Sequence, residues 1–275
     1  MPKSLIGDSL IERLIVPAGK RVQLSDDHAN RTFGWEKPEA QAALQEHLKT
    51  LSDLQYKLYA DGRHAFLVVL QAIDAGGKDG TVHDICTSMN PQGCVVTSFK
   101  APSAEELKHD YLWRIHKRVP ERGMVGVFNR SHYEDVLVVR VEKLVPESVW
   151  RERYAEINEF ERMLTGSGVR IIKIFLQISK EEQKERLEGR LKDPTKQWKF
   201  SPEDVAKRRQ WGEYQKAFEA MLTRCSTRHA PWYVIPSDRK WFRNLAVAQI
   251  LTTEMGRLPL RFPEATYDPA SIRIR

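Results

Sequence analysis

From Pro38 to Tyr59 the apolar positions Leu44, Leu48, Leu51, Leu54 and Leu58 return every three or four residues and predict one amphipathic helix. Upstream of it no strand period is found, and Pro17-Ala18-Gly19 followed by Leu24 to Trp35 predicts an irregular arm laid over the rest, arm and helix together filling about residues 1–60. Beyond the helix the pattern changes. Short, almost continuous apolar runs at Ala65–Leu70, Val95–Phe99, Met124–Phe128, Val169–Ile178 and Trp232–Ile235 alternate with polar, helix-like stretches. Runs of that kind suit strands buried on both faces, and the alternation predicts βαβ units. The expected fold class is therefore α/β, with a central parallel sheet and helices on both sides.

Helix starts carry capping chemistry at Ser103 with Glu106, Ser131 with Glu134, Ser179 with Glu182, and Ser201-Pro202 with Asp204. Between Glu185 and Arg209 a densely charged stretch, broken by Pro194 and Pro202, predicts two helices joined by a basic turn. It reads either as a solvated helix face or as a mobile cationic cover. No fixed-period repeat or linker divides the chain, so residues 1–275 are expected to form one domain.

The segment Gln71 to Thr81 follows the first strand and opens a helix, which is the setting a phosphate-binding loop requires. In it Ala75, Gly76, Gly77, Asp79, Gly80 and Thr81 would turn backbone N–H groups around phosphate oxygens, and Lys78 would reach an outer phosphate. The match to GxxxxGK(S/T) is incomplete. Ala72 holds the first glycine position and Asp79 replaces the hydroxyl residue that touches magnesium, so Asp74 becomes the candidate metal ligand. The competing reading is a glycine-rich turn with a surface lysine.

A second group, Asn129-Arg130-Ser131-His132-Tyr133-Glu134-Asp135, follows the third strand and should lie beside that loop, because open parallel sheets gather ligands at their carboxyl ends. Arg130 can fork onto a phosphoryl group, and Glu134 and Asp135 offer hard oxygen ligands. Glu134 reads equally as the partner of Ser131 in a capping box. His132 reads as a packing or hydrogen-bonding residue rather than a catalyst, since phosphoryl transfer needs charge placement more than a neutral base.

Charge adds a partner class: 44 lysines and arginines against 37 aspartates and glutamates leave +7, which suits an anionic ligand. A further basic cluster, including Lys100, Lys108, Arg114 and Lys117, follows the second strand. Cys86, Cys94 and Cys225 suggest neither a disulfide framework nor a zinc site. No run approaches the roughly 18 apolar residues of a membrane span, and Met1 to Ser4 lead into no apolar run with a cleavage site, so a cytoplasmic protein is expected.

These linked segments, together with Thr97 to Lys100, Trp113 to His116, Gln183 to Arg190, Trp198 to Phe200 and Ala230 to Trp241, resemble the second polyphosphate kinase family. The resemblance implies a three-layer α/β/α P-loop kinase fold, a helical lid over about residues 183–212, magnesium or manganese dependence and a basic channel for the chain. It implies loop roles for Asp74 and Lys78, a clamp role for Arg130, and lid positions for Arg186 and Arg190, with Lys100, Arg114, Asn129, Lys199 and Arg208 among the binding residues. Many members carry Asp-Arg where this chain has Asn129-Arg130, and the pattern looks like the subgroup that phosphorylates both AMP and ADP, giving ADP and ATP reversibly. The expected partners are inorganic polyphosphate, adenine nucleotides and guanine nucleotides, with neither nucleic acid nor membrane; a homo-oligomer is expected. The alternatives are an ATP-dependent nucleotide or nucleoside kinase on the same core and a nucleic-acid-binding protein, for which no reading module is found.

Overall fold

Strand β1 (Ala65–Gln71) is buried along its whole length, and its two faces serve two different cores. Ala65, Leu67 and Val69 enter one, while Phe66, Val68 and Leu70 enter the other, as the two-residue period of a strand requires. The computed structural model describes residues 8–274, so the first seven residues of the expected arm, and residue 275, lie outside the described residues. Strands β2 (Cys94–Ser98), β3 (Val125–Asn129), β4 (Val169–Gln177) and β5 (Trp232–Pro236) complete a parallel sheet in the order β2-β3-β1-β4-β5.

The helices are α1 (Asp8–Leu14), α2 (Asp26–Ala29), α3 (Lys37–Asp61), α4 (Lys78–Cys86), α5 (Trp113–His116), α6 (Val138–Val141), α7 (Glu147–Gly166), α8 (Lys180–Lys192), α9 (Pro202–Arg209), α10 (Trp211–Cys225) and α11 (Lys240–Gly256). Helices α1, α3, α4 and α11 build the core on one face of the sheet, and α7 and α10 the core on the other. This is the α/β/α arrangement that the alternating pattern predicts. Leu51 and Leu58, on the predicted apolar face of α3, are fully buried, each contributing about 2 kcal/mol.

Two expectations are corrected. The arm is not irregular throughout, since α1 and α2 lie in it, and its extended part runs along β5, with the Val16 amide donating to the Trp232 carbonyl at 2.8 Å and an antiparallel bridge between Ile15 and Tyr233. A strand edge that would otherwise offer unpaired N–H and C=O groups is thereby covered. The second run is not buried on both faces: β2 is the opposite edge, and Val95 and Val96 are exposed. A short apolar run does not itself tell a central strand from an edge strand. Among the described residues no helix is long and apolar enough to cross a membrane.

Pairing of β1 with β3 sets Leu70 opposite Asn129, and pairing with β4 sets Gln71 opposite Phe175. The segments that leave the carboxyl ends of β1 and β3 therefore start side by side, where the connections diverge to opposite sides of the sheet.

Candidate active site

The chain leaves β1 through a tight loop before α4 begins at Lys78. Ala75 and Gly77 have φ of +62° and +104°, and the Gly76 amide donates to the Ile73 carbonyl at 2.9 Å. A Cβ on Gly76 would sit 2.7 Å from that same carbonyl, so the turn closes only around glycine. Lys78 is buried and folds back, its Nζ donating to the carbonyls of Ala72 at 2.8 Å and Ile73 at 3.3 Å. Burial, with Arg130 nearby, pulls its pKa down to about 8 against the opposing pull of Asp74, Glu134 and Asp79. Thr81 lies in the first turn of α4, its hydroxyl donating back to the Gly77 carbonyl at 3.1 Å. Gly80 lies in the first turn of α4 beneath Arg243.

Arg130 is the centre of the arrangement. Its backbone is left-handed at φ = +63°, and its amide extends the sheet by donating to the Leu70 carbonyl at 3.1 Å. One end of the guanidinium pairs with Asp74, the other with Glu134 at 3.3 Å. Asp74 is also 3.4 Å from Lys207 of α9. Burial alone would raise the Asp74 pKa, but Lys78, Arg130 and Lys207 outweigh it and hold the carboxyl below its ordinary value. Glu134 accepts from Gln71 at 3.1 Å. Ser131 caps the turn by accepting from the Tyr133 amide, without the Glu134 carboxylate, which faces the site.

Asn129 donates to Asp79 at 2.7 Å, joining the start of α4 to the end of β3. Asp135 points elsewhere: it pairs with Arg153 of α7 at 3.0 Å, and burial pushes its pKa up to about 6. Adjacent residues of a 3₁₀ turn project about 120° apart, which separates it from Glu134.

The expected lid residues divide into two groups. Arg186 of α8 reaches the loop, donating to the carbonyls of Ala75 at 3.0 Å and Ser237 at 2.5 Å. Arg208 acts one step removed, bonding Gln183, whose amide donates to the Asp74 carbonyl at 2.9 Å. Arg190 stays within the α8–α9 segment, donating to the Lys199 carbonyl at 3.2 Å and lying 3.5 Å from Asp204. Lys199 is exposed, with its ammonium 5.0 Å from the Trp198 ring. Lys100 is also exposed, and buried Arg114 donates to its carbonyl at 2.8 Å, bracing the segment after β2. A small cavity remains between Asp74, Arg130, Glu134, Lys207 and Tyr214.

Arg243 of α11 joins the site without having been singled out in the sequence. It is buried, donates to the Gly77 carbonyl at 3.3 Å, and lies 3.5 Å from Asp84. Burial and neighbouring Arg186 draw its pKa down to about 10. The available signal was an arginine inside the apolar run Phe242 to Leu251.

The family model of polyphosphate kinase 2 matches residues 34–259. The chain belongs to the polyphosphate kinase 2 family. It is 52% identical over 226 residues to an AMP/ADP-polyphosphate phosphotransferase of Meiothermus ruber, covering 82% of this chain and 84% of that protein. It is 45% identical over 235 residues to an ADP-polyphosphate phosphotransferase of Rhodopseudomonas palustris, covering 81% of each. The crystal structure of polyphosphate kinase 2 from Arthrobacter aurescens TC1 superposes with a TM-score of 0.91 at 44% identity, covering 95% of this chain and 94% of that one. In this polyphosphate kinase 2 chain, then, the glycine-rich loop, the Arg130 turn and the basic helices α8 and α9 form one contiguous group of side chains.

Proposed function

We infer that the protein transfers a phosphoryl group between inorganic polyphosphate and AMP or ADP, giving ADP and ATP, with guanine nucleotides as further acceptors. The observation that carries this reading is Arg130, held between Asp74 and Glu134 beside the glycine-rich loop and beneath Lys207. A forked guanidinium at that point can follow the charge that spreads over the equatorial oxygens of a transferring phosphoryl group. Lys78 and the amides at the start of α4 bind the donor phosphates, and α8 and α9 exclude water and orient the chain.

Magnesium fits this donor set. Among the described residues no group of three or more acidic, histidine or cysteine side chains forms a ready-made cage. Asp74 and Glu134 nevertheless flank one guanidinium and supply two hard oxygen donors, and magnesium is commonly held by one or two carboxylates with substrate phosphates and waters filling the rest. When bound, the ion neutralises charge between two polyanions and polarises the transferring phosphoryl group. Asp135, engaged by Arg153, is left out of this assignment, as a residue that anchors the turn.

The test is purified protein with polyphosphate, Mg²⁺ and AMP, ADP, GMP or GDP in separate reactions, products being resolved by chromatography. ATP is expected from ADP, and ADP then ATP from AMP, with both stopped by EDTA. ATP formation that needs no polyphosphate, or survives chelation, overturns the reading. The same protein sized in solution tests the expected homo-oligomer.

A further inference from the structure

Beneath the turn that carries Arg130 and Glu134 lies a buried charge network outside the reaction just described. Glu161 of α7 and Lys173 of β4 are both fully buried and 2.5 Å apart. The Tyr133 hydroxyl donates to Glu161 at 2.8 Å and accepts from Lys173 at 2.8 Å, while His132 Nε2 lies 3.2 Å from the Glu161 carboxylate. Lys173 also donates to the Cys225 carbonyl at 2.6 Å.

An ion pair withdrawn from water seldom stabilises a core more than apolar side chains of the same volume, because desolvation offsets the attraction. What the pair supplies is direction. It engages two consecutive side chains of one turn, at donor and acceptor positions that permit a single placement. That turn needs holding, since Arg130 occupies the left-handed region that a Cβ disfavours. Helix α7 grips it twice: Glu161 takes His132 and Tyr133, and Arg153 takes Asp135. Glu134 lies between the two grips, and Arg130 just before the first.

We propose that His132, Tyr133, Glu161 and Lys173 are positioning residues that hold the strained 130–135 turn so that Arg130 and Glu134 face Asp74. Only the kinetic readout of this assignment rests on the proposed function. The double variant His132→Leu, Tyr133→Phe frees the turn and leaves the Glu161–Lys173 pair in place. Its thermal midpoint falls, because the buried Glu161 carboxylate loses two donors, while backbone amides of residues 130–136 exchange faster by at least about tenfold more than amides elsewhere in the chain. Its kcat falls about tenfold with KM for polyphosphate within about twofold, because a misplaced clamp costs most in the transition state.

The deciding comparison repeats the two changes in an Arg130→Ala background. There the kcat loss shrinks, since only Glu134 is left to position. Unchanged amide exchange overturns the proposal, as does a loss in the Arg130→Ala background equal to that in wild type, which marks general destabilisation. Should the double variant fail to fold, Tyr133→Phe alone supports the same comparison. Absence of polyphosphate-dependent turnover in the wild type would remove the functional reading alone, because amide exchange still decides this one.

Discussion

Replacing Lys78 by methionine tests the electrostatics of the loop from two sides at once. The ammonium is buried, and its pKa falls from 10.5 to about 8 on folding, chiefly through burial and the nearness of Arg130. At about 1.4 kcal/mol per pH unit, holding the charged form in the fold costs about 3 kcal/mol below pH 8. The sign follows from proton binding. Between pH 8 and 10.5 the unfolded chain keeps a proton that the folded chain has lost, so this contribution makes the protein more stable as pH rises through that window. The difference in unfolding free energy between wild type and Lys78→Met, measured by urea titration, should therefore shift by about 2.5 kcal/mol in favour of wild type from pH 7 to pH 10. Activity should move the opposite way. The free-enzyme profile, kcat/KM against pH, should fall above about pH 8 as the ammonium is lost, and Lys78→Met should lose at least about a hundredfold in kcat at pH 7. Identical pH dependence of stability in the two proteins, or a flat kcat/KM from pH 7 to 9, would refute the reasoning.

Three further outcomes are expected. Asp74→Asn should lower kcat by at least about a hundredfold and change the Mg²⁺ concentration needed for half-maximal rate; near-normal turnover with an unchanged metal requirement would reduce Asp74 to a loop residue. Glu134→Gln should depress phosphorylation of AMP more than that of ADP, because under the proposed function Glu134 would be a carboxylate ligand serving the acceptor phosphate nearer the nucleoside; equal losses in kcat/KM would contradict this. Gly77→Ala places a Cβ at φ = +104° against the Arg243 guanidinium and should cost at least about 1–2 kcal/mol of stability by chemical denaturation.

The sheet, the glycine-rich loop and the Arg130 turn were legible because each rests on local pattern: an apolar run, a strand–glycine–helix junction, polar residues at a strand end. Glu134 was ambiguous because Ser-x-x-Glu serves both a cap and a ligand pair. The structure separates these uses, leaving the cap to Ser131 alone and turning Glu134 toward Arg130 and Gln71. Asp135 looked equivalent to its neighbour in the chain, but one residue of a 3₁₀ turn directs it to Arg153. Arg243 was missed because Gly77, which it contacts, is distant in sequence, and only the docking of α11 beside α4 brings them together. The arginines of α8 shared one charge run, yet Arg186 reaches the loop while Arg190 braces the connection to α9, a distinction of helix phase that charge counting does not carry.

Arg130 and Lys207 already hold anionic partners, the carboxylate of Asp74 for both and that of Glu134 for the first. Uptake of a phosphate chain under the proposed function would then be an ion exchange: phosphate oxygens would replace carboxylates on the cations, and Asp74 and Glu134, so released, would be free to hold a divalent ion. Each event lowers the cost of the other. Metal and polyphosphate should accordingly bind with positive thermodynamic coupling, each tightening the other by the same factor, and a nucleotide arriving without metal meets a site whose cations are still engaged by its own side chains.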